Sequence, residues 1–180
     1  MTSTQTLQIQ LLERPQSYLK RLIRLLEDTV NSGGIVGFLA PLEPNEAKFY
    51  WNAVFRKVEK GQTLLWVAQN SGGIVAGSVQ LHLALQTNGT HRAEIAKMMV
   101  SSQFRRQGLG RRLMLEAEKG ALERGRTTLV LNTRAGDVGE ELYRSLGWLE
   151  GGRIPGFSHS ADGSLHTTVI YFKLLEKAFS

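Results

Sequence analysis

The sequence predicts a mixed α/β fold: a mostly antiparallel sheet flanked by helices, in the order β-α-α-β-β-β-α-β-α-β-β. Three observations point there. Three β-rich runs follow one another with only short turns between them, which a doubly wound parallel sheet does not allow. Two helical stripes precede those runs, with apolar residues recurring at a spacing of three and four. A continuous apolar run, "TTLVLNT" (Thr127 to Thr133), follows a later helix, as a strand at a sheet centre should.

The elements follow in order. Thr6 to Leu12 alternates weakly as a first strand, and Pro15 ends it. Leu19, Leu22, Ile23, Leu26 and Val30 form the first helical stripe, closed by "NSGG" from Asn31 to Gly34. The next segment is a loop, and Ile35, Val36, Phe38 and Leu39 are expected to fold it over the body. A second helix starts at Pro44 or Asn45, buries Ala47, Trp51, Val54 and Val58, and stops at Gly61. Thr63–Gln69, Ile74–Leu85 and His91–Val100 form a meander with turns at "NSGG" and "QTNGT", and Gly77 is a candidate bulge. A helix from about Leu109 to Glu123 buries Leu113, Met114, Ala117 and Ala121, with Arg112 and Glu116 spaced i,i+4 on its exposed side. A short helix spans about Val138 to Leu146, and "LGW" turns into a strand. Gly151 to Gly163 is expected to be a loop, and His166 to Leu175 the closing strand.

Bulk properties narrow the function. The 180 residues fit one domain, 1–180, with a core from about Leu7 to Leu175. The formal net charge is +6, which favours anionic partners without a basic tail. With no cysteine, disulfides, thiolate nucleophiles and Cys-based zinc sites are excluded. The four histidines show no metal-ligand spacing, so no metal is expected. The N-terminal stretch does not resemble a leader, and no apolar run approaches the roughly 20 residues of a membrane helix. A cytoplasmic protein without membrane or nucleic-acid partners is the expectation, as a monomer or homodimer.

The most informative stretch is "FRRQGLGRRLM", Phe104 to Met114. It lies between a strand and a helix start. The first amides of a helix are unpaired and carry positive dipole. Gly108 and Gly110 allow close backbone approach, and Arg105, Arg106 and Arg111 add charge, so the stretch suits a phosphate. It is neither the triphosphate loop nor the dinucleotide fingerprint. No interleaving of basic and aromatic residues supports single-stranded nucleic-acid binding. The bland alternative is a tight turn with solvated arginines.

"RRQGLG" (Arg105 to Gly110) resembles the Arg/Gln-x-x-Gly-x-Gly/Ala motif of the GNAT acetyltransferase superfamily, and "LYRSLGW" (Leu142 to Trp148) resembles its late Tyr-x-x-x-Gly-Phe signature. The segments "GGIVGFLA", "HRAEIAKMMV", "AGDVGEELY" and "LHTTVIYFK" are further similar to the tabtoxin-resistance acetyltransferase group. The resemblance implies a GNAT-like acyl-CoA N-acyltransferase fold, acetyl-CoA as donor and a small-molecule amine as acceptor. It implies that Met98, Met99 and Val100 pair with the pantetheine arm. It also implies that Arg105, Arg106, Gln107, Gly108, Leu109, Gly110 and Arg111 hold the pyrophosphate, with Asn132 and Tyr143 also at the cofactor.

Acetyl transfer needs a proton acceptor for the amine and a donor for the leaving thiolate. Glu94, a carboxylate in an apolar strand, is the candidate base; the alternative is a salt bridge to Arg92 or Lys97. Tyr143 is the candidate acid, since an unperturbed phenol has a pKa near ~10; the alternative is a core aromatic. The resembling group carries an aspartate at position 132. Asn132 can orient water or bond the cofactor but cannot accept a proton, so Glu94 acts alone or with Asp137 or Glu140. His82 reads as packed or hydrogen-bonded. Trp51, Trp66 and Trp148 read as core. Arg153 to Ser164, with His159 and His166, is expected to cover the acceptor side.

Overall fold

A computed structural model describes residues 6–176. The leader-free N-terminus expected from sequence falls partly outside that range. The expected order of elements is observed. The strands are β1 (Gln8–Leu11), β2 (Thr63–Gln69), β3 (Val75–Leu83), β4 (Arg92–Val100), β5 (Thr128–Arg134), β6 (Leu149–His159) and β7 (Leu165–Leu174). The helices are α1 (Leu19–Asn31), α2 (Pro44–Glu59), α3 (Leu109–Glu123) and α4 (Gly139–Ser145). They build one seven-stranded sheet in the order β1-β2-β3-β4-β5-β7-β6. Every neighbouring pair is antiparallel except β4–β5.

Each face of the sheet has its own core. Because side chains alternate along a strand, Leu81, Ala93, Ile95, Leu129, Leu131, Val169 and Tyr171 point to the face covered by α3 and α4. Leu65, Val67 and Met99 point to the other face, where α1 and α2 supply Leu22, Leu26, Trp51 and Phe55. The three tryptophans are all buried, as their apolar neighbours in sequence suggested. On this second face the helices cover β2 to β4 only. Val130, Ile170 and Phe172 lie beyond them, half-buried and outside both cores.

Three expectations need correction, and one i,i+4 spacing goes unused. The Gly-rich stretch from Gly151 is a strand: β6 runs to His159, because its pairing with β7 continues past Gly152 and tolerates a bulge between Ile154 and Ser158. Only the turn from Ser160 to Ser164 remains as loop, so Arg153–Ser164 belongs to an edge hairpin. Arg112 does not pair with Glu116; its guanidinium donates to the Leu7 carbonyl at 2.8 Å, fastening β1 to α3. Of the segment after α1, Val36 and Phe38 pack on the core, whereas Ile35 and Leu39 stay exposed. In α2, Val58 is only half-buried and Phe55 takes its place in the core.

Gly77 marks a close approach instead of the bulge itself. The register of β2 against β3 slips one residue earlier, at Ala76. A Cβ at Gly77 would lie 2.7 Å from the Met99 carbonyl oxygen and 3.0 Å from Leu113 Cδ1. Only glycine lets α3 and β4 sit this close to β3.

Candidate active site

Strand β4 builds the site. Its register with β3 passes from Ser78↔Met99 to Gln80↔Ala96, so Lys97 and Met98 stand opposite the single residue Val79. Lys97 absorbs this bulge with φ of 50°, a left-handed conformation that costs a non-glycine residue about 1 kcal/mol or more. The bulge reverses the side-chain phase: Ile95 faces the α3 side, but Met99 faces α1 and α2.

On its other edge β4 pairs with β5 only from Arg92↔Thr128 to Glu94↔Val130. Beyond that point the two parallel strands separate. The Ser101 amide donates to the Ala76 carbonyl on the β3 side at 2.9 Å. By alternation, Met98 and Val100 turn their main-chain groups to the open edge. The Val100 carbonyl there accepts from Arg105 Nε at 3.2 Å.

The chain then enters the glycine-arginine turn. Arg106 and Gly108 both have positive φ, 62° and 76°. Gly108 is the N-cap of α3, with no side-chain cap, and a Cβ there would meet nothing within 4 Å. The first amides of α3 therefore face open space, and the Arg106 side chain has no hydrogen-bond or ion-pair partner among the described residues. Gly110 serves packing: a Cβ there would lie 3.3 Å from Leu142 Cδ2 and 3.7 Å from the Met98 thioether. Arg111 reaches Ser145 Oγ at 3.5 Å, and Gln107 Nε2 donates to the Gln103 carbonyl at 3.3 Å. Unpaired amides, a free guanidinium and an open Cβ position fit a polyphosphate.

At the opposite end of the opening, Asn132 Nδ2 lies 3.5 Å from Glu94 Oε1. Glu94 shares a cavity of about 210 Å³ with His82, Leu83, Ala84, Arg92, Ala93 and Val130. It makes no ion pair with Arg92 or Lys97; the Lys97 ammonium instead donates to the Val36 carbonyl and sits over the rings of Phe38 and Tyr50. Burial lowers the Lys97 pKa, and the nearby Glu94 charge opposes that shift.

Tyr143 lies on α4, 8% exposed, with its ring 6.4 Å from Trp148 and 6.0 Å from Tyr171. Burial, and then the charge of Asp137, push its phenol up, so it stays protonated at neutral pH. Its hydroxyl makes no hydrogen bond among the described residues, whereas that of Tyr171 donates to Glu140.

A family model, the acetyltransferase (GNAT) family, matches residues 34–148, which contain the opening, the turn and α4. The chain belongs to the GNAT family. A curated relative in Azospirillum brasilense, an uncharacterized N-acetyltransferase in the hisH-hisA intergenic region, is 32% identical over 110 residues, 60% of this chain and 63% of its own length. The chain thus spans less than two thirds of that relative. A solved structure from Acinetobacter baylyi ADP1 superposes with a TM-score of 0.82 at 19% identity, covering 99% of this chain and 97% of the other. The Salmonella typhimurium protein yncA, solved with its cofactor acetyl-CoA, gives a TM-score of 0.77 at 14% identity, with 97% of each chain covered. At these identities the solved structures establish the GNAT fold alone.

Within this GNAT fold, the sequence-predicted residues form two groups along one strand opening. Met98, Met99, Val100 and Arg105 to Arg111 stand at the turn end, and Glu94 with Asn132 at the other. Met99 departs from the expectation: its side chain is 1% exposed in the α1/α2 core and its carbonyl faces β3, so it does not line the opening. Glu140 is no spare base. Its carboxylate accepts from Tyr171 Oη, from the Gly136 amide at 2.7 Å and from Arg144 at 2.7 Å.

Two features escaped the sequence. The Asp28 carboxylate accepts from the Ser102 amide and hydroxyl, both at 2.7 Å, and Arg105 Nη2 donates to Ser32 Oγ. Together they fasten the end of α1 to the turn. Partial burial opposes the charged form of Asp28, but the hydrogen bonds from Ser102 and Ser101 and the charge of Arg105 together outweigh it and hold the carboxyl below its ordinary range. No local spacing announces a contact between residues so far apart in the chain. The second is the string His82–Gln80–Tyr50, which only the pairing of β3 under α2 assembles.

Proposed function

We propose that the protein is one acetyltransferase domain that moves the acetyl group of acetyl-CoA to a primary amine. The acceptor is a small amino-acid-like or toxin-like molecule, attacked directly within a ternary complex. The observation that carries this is the separation of β4 from β5 after Glu94↔Val130, with an anion-ready turn at one end and a carboxylate at the other. Bound acetyl-CoA supplies the activated acyl thioester.

The chain's own residues supply the rest. Amides from Arg106 to Arg111, with the Arg106 guanidinium, hold the pyrophosphate. Arg105 is spent on Val100 and Ser32, and so shapes the turn. Main-chain groups of Met98 and Val100 offer ladder hydrogen bonds to the pantetheine amides. Glu94 takes the amine proton, and a general base of this kind contributes roughly 10²–10⁴-fold. Asn132 orients Glu94 or its water and takes no proton. Tyr143 gives its proton to the leaving thiolate. The likeness to the tabtoxin-resistance group bears on the acceptor alone, and the asparagine at 132 separates this chain from that group's two-carboxylate base.

The test is CoA release from acetyl-CoA across an amine panel: β-lactam-bearing amino acids, dipeptides, aminoglycosides, polyamines and short protein N-termini. Saturable turnover with one small-molecule class, abolished in Glu94→Gln, is the expected result. Turnover confined to protein N-termini would overturn the acceptor class. Acetyl-CoA binding with no turnover anywhere would mark a non-catalytic acyl-CoA-binding module. If a toxin-like acceptor is turned over slowly, Asn132→Asp should quicken it.

A further inference from the structure

Strand β3 carries a polar string that the steps above leave unused. His82 Nε2 lies 3.0 Å from Gln80 Oε1, and Gln80 Nε2 donates to Tyr50 Oη at 2.8 Å. Gln80 is fully buried, so its amide is held by these two partners. Since its nitrogen is given to Tyr50, its oxygen is what His82 meets. The imidazole must bring an N–H to that oxygen. In the neutral ring this puts the proton on Nε2 and leaves the lone pair on Nδ1.

His82 is also the cross-strand partner of Glu94. Side chains directly opposite in an antiparallel pair start about 5 Å apart at Cβ. Both line the same cavity, and Asn132 stands on the other side of Glu94. The carboxylate is thus flanked by an imidazole and an amide, neither of which carries charge.

We infer that His82 is a positioning residue for the acceptor: its Nδ1 lone pair accepts one N–H of the incoming amine while Glu94 takes the proton. This rests on the acetyltransferase assignment proposed above. The proton passes from the amine nitrogen to a Glu94 oxygen, and the imidazole neither gains nor loses one. Holding one N–H at His82 and another at Glu94 turns the nitrogen lone pair away from both, toward the opening where the acyl group must lie.

The role needs an uncharged ring. Burial, and then the positive charges of Lys57 and Lys97, push the His82 imidazole down to about 4. Glu94 and Arg92 are the other charged groups at its cavity. The Tyr50 hydroxyl, raised by burial, keeps its proton at the far end of the string.

The test pairs His82→Asn, which keeps an acceptor near the Nδ1 position, with His82→Leu, which keeps no polar atom. One lost hydrogen bond corresponds to about a tenfold rise in the acceptor's KM in His82→Leu, with the KM for acetyl-CoA unchanged. His82→Asn should recover most of that loss; equal impairment in both variants overturns the inference. Nitrogen-15 NMR of the histidine ring gives an independent readout. The expected result is the Nε2–H tautomer from about pH 5 to about pH 9, with the Nδ1 resonance moving as an acceptor amine is titrated in. An Nδ1–H tautomer, or an Nδ1 signal indifferent to saturating amine, overturns it. Absence of turnover with every amine would sink the transferase assignment, and the ring tautomer read by NMR would still decide for or against the Nδ1 lone pair of His82.

Discussion

Gly108 offers a way to set fold and ligand against each other. The substitutions Gly108→Asn and Gly108→Asp are nearly isosteric, and both side chains tolerate the left-handed conformation that φ of 76° imposes. The Cβ at this position meets nothing within 4 Å, so no clash adds to the backbone strain. That strain is about 1 kcal/mol for either variant, or roughly 2–4 °C in Tm for a chain of this length. The carboxylate gains about 0.3–1 kcal/mol from the α3 dipole, so the aspartate variant should be at least as stable as the asparagine variant. Acetyl-CoA affinity should move the other way. A unit charge about 4 Å from a phosphate charge costs about 4 kcal/mol at an effective dielectric constant of about 20. If solvent and Arg106 screen half of that, about 2 kcal/mol remains, a roughly thirtyfold weaker Kd for aspartate than for asparagine. Calorimetric titration with CoA, beside thermal unfolding of the same samples, measures both quantities. Equal affinities for the two variants would refute the placement of the pyrophosphate at this turn.

Tyr143→Phe should leave the Kd for acetyl-CoA unchanged and lower kcat at least tenfold, an order set by loss of general-acid assistance; an unaltered kcat in steady-state assays would remove Tyr143 as the acid. Gly120→Ala should destabilise by about 1–3 kcal/mol, because its Cβ would lie 2.3 Å from Trp66 Cζ2, and a Tm matching the parent would show that the Trp66 ring can yield. The Glu140 carboxyl is held below its ordinary value, first by the Tyr171 hydroxyl and then by the Gly136 amide. A depressed folded pKa adds stability that is complete above the unfolded value of about 4.3 and vanishes as pH falls through the folded value. Glu140→Gln should therefore be less stable than the parent at pH 7, and urea unfolding should show the gap closing below about pH 4.

Where neighbours in sequence are neighbours in space, the residues announced the structure. Leu109 to Glu123 shows its buried stripe and its glycine-marked start, and Thr63 to Gln69 is bounded by turn residues, so both were legible to the residue. Glu94 stood out as a carboxylate among apolar neighbours. The strand β6 was hidden because Gly151, Gly152, Pro155 and Gly156 carry loop propensity, and what holds them extended is a partner strand. The same holds for the site. The pairing of His82 with Gln80 is local, but its attachment to Tyr50 and its place beside Glu94 depend on strand register and on how α2 lies across the sheet.

The short parallel join of β4 to β5 has a mechanical meaning. The strands are clasped by three residue pairs and then part. On one face the parting is sealed, because Leu131, Tyr143 and Tyr171 belong to the same packed cluster as Ile95, Leu109 and Leu113. On the other face no buried cluster among the described residues bridges β4 to β5 and β7, and Val130, Ile170 and Phe172 lie outside the core. The opening therefore has a packed back and faces the α1/α2 side. Glu94, His82 and Asn132 stand together at the clasp, so the carboxylate marks the closed end of a one-sided cleft.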